Sequence, residues 1–181
     1  NYQPISNRYL INLDDNEFLF TLKLGQCQNT GLIQLIEPVP FDELVPRYDW
    51  ITYMEPEDHL DELVERIEYF LPKNKSLKIG GVSFKDDSIL KRFEILGHKT
   101  WKIDLEQDLS LDSYLGIESI QAAINKHVIN KIAKRNGKSD FLIARHIFEH
   151  VYNLDDFLES LKNLIYDDGY ILFEIPDSTT S

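Results

Sequence analysis

The chain has 181 residues, 43% of them hydrophobic and 28% charged, enough for one globular domain of ordinary size with a small appendage. Its 19 Lys and Arg stand against 31 Asp and Glu, a formal charge of -12 that excludes a nucleic-acid partner, because no basic cluster could neutralise a phosphate backbone. No apolar run reaches membrane-spanning length, no signal peptide opens the chain, and the single cysteine, Cys27, excludes an internal disulfide, so no membrane partner and a cytoplasmic location are expected.

From the N-terminus, "EFLFTLKLGQC" (17–27) and "GLIQLIEPV" (31–39) read as two strands around the turn 28–31. Residues 38–58 are proline-punctuated and aromatic-rich, a linker lying on something. Leu60, Leu63, Val64, Ile67 and Phe70 follow helical spacing behind an acidic first turn, and Pro72 stops that helix. Strand and helix then alternate: strand 76–84, helix 86–97 closed by Gly97, strand 99–105, a weaker segment 114–124, helix 127–137 closed by Gly137, strand 140–145, helix 154–165 and strand 169–176. The pattern predicts a parallel α/β sheet covered on both faces. The predicted organisation is a small β-rich module with linker over 1–56 and a Rossmann-like domain over 57–181. The chain starts at Asn1 without a methionine and stops at Ser181 directly after a strand-like run, so it is expected to be part of a longer protein.

Two places carry candidate chemistry. The first strand leaves through Gly80, Gly81 and Ser83, where a glycine turn lets a ligand approach the backbone and the following helix offers free N–H groups. Asp104 stands at the tip of the second strand, placed to accept from both hydroxyls of a ribose. Together they point to a nucleoside-binding cleft; a plain tight turn, with Asp104 capping through the Glu106 or Gln107 N–H, is the simpler possibility. The second place is Arg145-His146-Ile147-Phe148-Glu149-His150, whose His-x-x-Glu-His spacing is that of an inverted zinc-protease helix. It directly follows a buried strand, and no histidine lies between Val151 and Ser181 to complete a metal site. His146 is expected to face the cleft and His150 to be satisfied locally.

"DFLIARHIFEHVYNLDDFLESLKNLIYDDGYILFEIPD" resembles the fourth-strand to fifth-strand region of class I S-adenosylmethionine-dependent methyltransferases, with Asp167-Asp168-Gly169 in place of their Pro-Gly-Gly turn. "QPISNRYL", "FTLKLGQCQNTGLIQL" and "VPRYDWITYMEPEDHL" resemble, in the same order, parts of the multidomain enzymes that C-methylate nucleotide-linked deoxysugars. The resemblance implies a cofactor, S-adenosylmethionine, held around Gly80, Gly81, Ser83, Asp104 and Arg145. It also implies a small-molecule acceptor, a nucleotide-linked sugar or related metabolite, with His146 as the catalytic residue. Arg145 is awkward beside a sulfonium, and pairing with a phosphate or carboxylate of the acceptor suits it better. Departures from that family are specific. Thr30 stands where the second cysteine of a zinc pair belongs, leaving a zinc-module remnant for which no metal is expected. Lys78 replaces an acid, Lys85-Asp86-Asp87 fills the turn, and the sixth and seventh strands, with the family's histidine-rich segment, are expected to be missing. "LKIGGVSFKDDSILKRFEILGHKTWKID" also resembles the opening of the sugar-nucleotide domain of nucleotide-sugar dehydrogenases, over that unit alone. The alternative function is a catalytically inactive methyltransferase-like binding or scaffold domain with a degenerate cofactor loop.

Overall fold

The computed structural model describes residues 2–4, 12–45, 56–72 and 75–177. Segments 5–11 and 46–55, which carry much of the N-terminal resemblance, lie outside the described residues. Short strands come first. β1 (Tyr2–Pro4) pairs antiparallel with β2 (Leu19–Thr21), and β3 (Leu24–Gln26) pairs with β4 (Ile33–Leu35) across the turn that holds Cys27. The single strand expected over 17–27 is therefore two strands with two different partners. A four-residue helix, α1 (Phe41–Leu44), follows.

α2 (His59–Phe70) buries Leu60, Val64 and Ile67, the i, i+4, i+7 stripe legible in the sequence. The sheet then begins with β5 (Lys78–Gly81), followed by α3 (Asp87–Ile95), β6 (Lys99–Lys102), α4 (Ile117–Ala123), α5 (Lys126–Asn136), β7 (Ser139–Arg145), α6 (Leu154–Lys162) and β8 (Ile165–Glu174). Its order is β6-β5-β7-β8, parallel throughout, with Gly80 opposite Trp101 and Leu142, and Arg145 opposite Glu174. This is the parallel, helix-covered α/β sheet that the alternating pattern predicts. Gly97 (φ +91°) and Gly137 (φ +72°) close α3 and α5 in the left-handed region, as expected of C-terminal caps.

Strand alternation divides the core in two. Ile79, Phe141 and Ile143 pack with α2 and α3 through Leu60, Val64, Ile89 and Phe93. Val82, Leu142 and Ala144 face the other way, onto Ile120, Ile129, Ile132, Phe157 and Leu161 from α4, α5 and α6. Both faces of β7 are thus dry, so its sequence reads as an unbroken apolar run rather than an alternation. Among the described residues no helix is long and apolar enough to cross a membrane.

Candidate active site

β5, β6 and β7 bring their carboxyl ends to one edge of the sheet, and the sequence-predicted residues gather there. Gly80 and Gly81, though, are strand residues rather than the turn itself. A Cβ on Gly80 would stand 2.7 Å from the Trp101 ring and 2.9 Å from Leu142, and one on Gly81 would stand 2.7 Å from Leu90 and 3.1 Å from the Asp86 Cβ. Protein side chains therefore fill the space that the missing Cβ atoms leave. The turn proper is Ser83–Asp86, a capping box: the Ser83 hydroxyl accepts from the Lys85 N–H while the Asp86 carboxylate accepts from the Ser83 N–H.

Asp86 is fully buried and is the polar centre of this edge. Its Oδ2 accepts from the Val82 N–H (2.7 Å) and the Ser83 N–H (2.9 Å), and its Oδ1 accepts from the Arg145 N–H (3.0 Å). The carboxylate thus staples the exit of β5 to the tip of β7. Burial pushes its carboxyl up to about 7, against the pull of those three N–H groups and of the Arg145 charge.

Arg145 is also buried, and its partners are the protein's own. Nε and Nη2 donate to Glu174 at 2.8 and 3.2 Å, and Nη1 donates to Glu57 (3.1 Å) and to the Lys85 carbonyl (2.6 Å). Burial works against the carboxylate of Glu174, but Arg145, with His59 and His146, holds its pKa below the ordinary value. Glu57 is likewise held low against its burial, by hydrogen bonds from Ser88 and Arg145 and by the Arg145 charge. The phosphate or acceptor carboxylate that Arg145 suits in the sequence is here replaced by two internal carboxylates.

His146 adopts φ +51°, left-handed and rare for a side-chain-bearing residue, at the point where the chain leaves β7. Its Nε2 lies 3.1 Å from Glu174 Oε1, and His59 Nε2 lies 3.2 Å from the same oxygen. Residues 148–150 then form a single 3-10 turn, so His146 and His150 do not share a helix face and the zinc-protease geometry does not form. Among the described residues no three His, Cys, Asp or Glu side chains gather to hold a metal ion. Cys27 is exposed, and the Thr30 hydroxyl with the Thr30 and Asn29 N–H groups lowers its thiol pKa.

Asp104 stands one residue beyond Ile103, whose N–H continues the ladder to the Gly81 carbonyl. Its Oδ1 accepts from the Gln107 N–H at 2.7 Å, the turn-capping role that the sequence leaves open. Its own N–H donates to Asp108 Oδ2, which also receives Arg135. Asp104 Oδ2 has no partner among the described residues. The two departures fall at opposite ends of the edge unit: Lys78 opens β5 at its amino end, its amide held by Asp140 Oδ2 (2.8 Å), whereas Asp87 begins α3 and pairs with Lys102.

Asp86, Glu174, Glu57 and His59 escape the sequence reading. A signal existed for the first two. Ser83-x-x-Asp86 is a capping-box spacing, and aligning the apolar runs of β7 and β8 sets the lone Arg145 beside the lone Glu174. A separate cleft of about 520 Å³ opens between the starts of α5 and α6, lined by Gln121, Asn125, His127, Tyr152, Asn153 and Ser160 among others. None of the predicted residues lines it, and the placement of candidate chemistry at the sheet edge outweighs its size.

A family model described as a methyltransferase domain matches residues 85–181, more than half of the chain. The chain belongs to the methyltransferase-domain family. Over 178 residues, 96% of this chain, it is 22% identical to the C-methyltransferase NovU of Streptomyces niveus, of whose length it spans 42%.

Proposed function

We propose that this methyltransferase transfers a methyl group from S-adenosylmethionine to a small-molecule acceptor, a nucleotide-linked sugar or a related metabolite. The observation that carries the cofactor assignment is Asp104. Its Oδ2 is open at the tip of the strand beside the β5 exit, where the fold receives the ribose of a nucleoside. The similarity to a C-methyltransferase supports the reaction class, and the sequence resemblance of segments within residues 3–60 supports the sugar-type acceptor.

The residues divide the cofactor between them unequally. Asp104 fits its ribose, whereas the Gly80-Gly81 step leaves no open cradle. When bound, the cofactor supplies an electrophilic methyl on a sulfonium. The protein's own part is to hold the nucleoside, to orient the acceptor and to take a proton where the nucleophile is a carbon or hydroxyl. His146 is the proposed residue for orientation or proton removal, with Glu174 fixing its ring through Nε2. Gly80, Gly81 and Ser83 act by shaping the β5 exit. Arg145 acts by holding Glu174 in place, so it is a positioning residue.

Asp104→Asn tests the assignment, because the amide keeps an oxygen for the Gln107 N–H while removing the anion. A charge-assisted bond to the ribose contributes about 1.5–3 kcal/mol, so S-adenosylhomocysteine should bind roughly tenfold to a hundredfold more weakly to the variant. The melting temperature should barely move. Wild-type affinity in the variant would remove Asp104 from the site, and no binding to the wild type would favour the inactive, scaffold-like alternative.

A further inference from the structure

S-adenosylmethionine presents two ends to a protein: an adenosine, and an amino acid whose carboxylate needs N–H groups or a cation. The β5 exit is where such N–H groups would be offered, and here those of Val82, Ser83, Lys85, Asp86 and Asp87 are already taken. The Val82 and Ser83 N–H groups go to Asp86 Oδ2, the Lys85 N–H to the Ser83 hydroxyl, the Asp86 N–H to the Ser83 carbonyl and the Asp87 N–H to the Phe84 carbonyl. At the neighbouring strand tip the Arg145 N–H goes to Asp86 Oδ1 and the His146 N–H to the Glu174 carbonyl. The buried cation of this edge, Arg145, is bound by Glu174 and Glu57, and Lys85 is not free either. The Asp86 carboxyl group therefore sits where a ligand carboxylate would and occupies N–H groups that such an anion would need, so a ligand carboxylate brought beside it would be desolvated without those partners.

Resting on the cofactor assignment above, we infer that this edge recognises the adenosine part of its ligand and makes no dedicated contact with the amino-acid carboxylate, whose place Asp86 fills from within. Asp104 is unlike Asp86 in this respect, because one of its oxygens remains open to a diol. The same edge offers little to the ammonium of the amino acid. Both Glu174 oxygens are engaged by Arg145, and Glu57 is shared between Arg145 and Ser88.

The test compares two thioethers that both lack the sulfonium charge and differ by the amino-acid portion, S-adenosylhomocysteine and 5′-methylthioadenosine, by calorimetric titration of the wild-type chain. The expected result is that both bind, with dissociation constants within about threefold of each other. A preference of roughly tenfold or more for S-adenosylhomocysteine, the size of one charge-assisted contact, would overturn the inference while leaving the cofactor assignment standing. Binding of neither compound at millimolar concentration would overturn both.

Discussion

Asp86 places an acid where no solvent reaches it, between the ends of two strands, and three backbone N–H groups tie it there. Its carboxyl is raised from 3.8 to about 7 in the fold, so the native state retains a proton that the unfolded chain has already released. Stability from this residue is therefore fully present below about pH 4 and lost as pH rises from 4 toward 7, at up to about 1.4 kcal/mol per pH unit. Glu57 and Glu174 have lowered values and act with the opposite sign, contributing above the ordinary glutamate pKa and failing as the solution becomes more acidic. Comparing wild type with Asp86→Asn isolates the first effect. The variant loses acceptor capacity and should be less stable at pH 4, with a deficit that narrows as pH rises to 7 and is flat above. Chemical denaturation across that range measures it, and a constant deficit would show that Asp86 does not titrate there. The residue escaped the sequence reading because Lys85-Asp86-Asp87 looks like an exposed charged turn. Only the return of β7 beside β5 buries the middle of it.

The β5–β6 pair shows the same dependence at the scale of elements. The sequence announces Gly80 and Gly81 as an opening for a ligand, and the strand and the parallel character of its sheet were readable from the alternation of strands and helices. What was not readable is that Trp101 lies across Gly80, its Nε1 donating to the Ser139 hydroxyl at 2.7 Å. That contact joins three strands and depends on a register that no local pattern encodes. Gly80→Ala should therefore act as overpacking between β6 and β7, costing about 1–3 kcal/mol. Equilibrium unfolding checks this, and an unchanged midpoint would mean that the ring moves freely and the glycine serves another purpose. The hexapeptide 145–150 shows the same dependence on context. Its His-x-x-Glu-His spacing means metal only on a helix, and here the strand persists to Arg145 before a left-handed residue and a 3-10 turn.

At the scale of the whole molecule, burial is concentrated in the parallel sheet and its helices. The two antiparallel pairs leave Leu24, Leu32, Ile33 and Ile36 largely exposed, and a hydroxyl bond from Tyr152 to the Val39 carbonyl links the two regions. Hydrogen exchange should follow this division. The β7 amides of Leu142 and Ile143 should open only with global unfolding, while those pairing β3 with β4 should exchange faster by at least roughly a thousandfold. Equal protection would contradict the division. The fold was legible because the parallel strands and helices carry their periodicity locally. Within the candidate site, the sequence offered Asp104 and His146 through their positions at strand tips. The internal partners of Arg145 come from segments as distant as Glu57 and Glu174, and no local spacing announces them. The claim that joins these scales is that the carboxyl edge of the sheet holds an adenosyl group through Asp104. A crystal structure of the chain with S-adenosylhomocysteine tests it most directly. The expected result is a ribose hydroxyl within hydrogen-bond distance of Asp104 Oδ2, with Asp86 still bound to the Val82 and Ser83 N–H groups. A nucleoside seated instead in the cleft between α5 and α6, with Asp104 untouched, would contradict it.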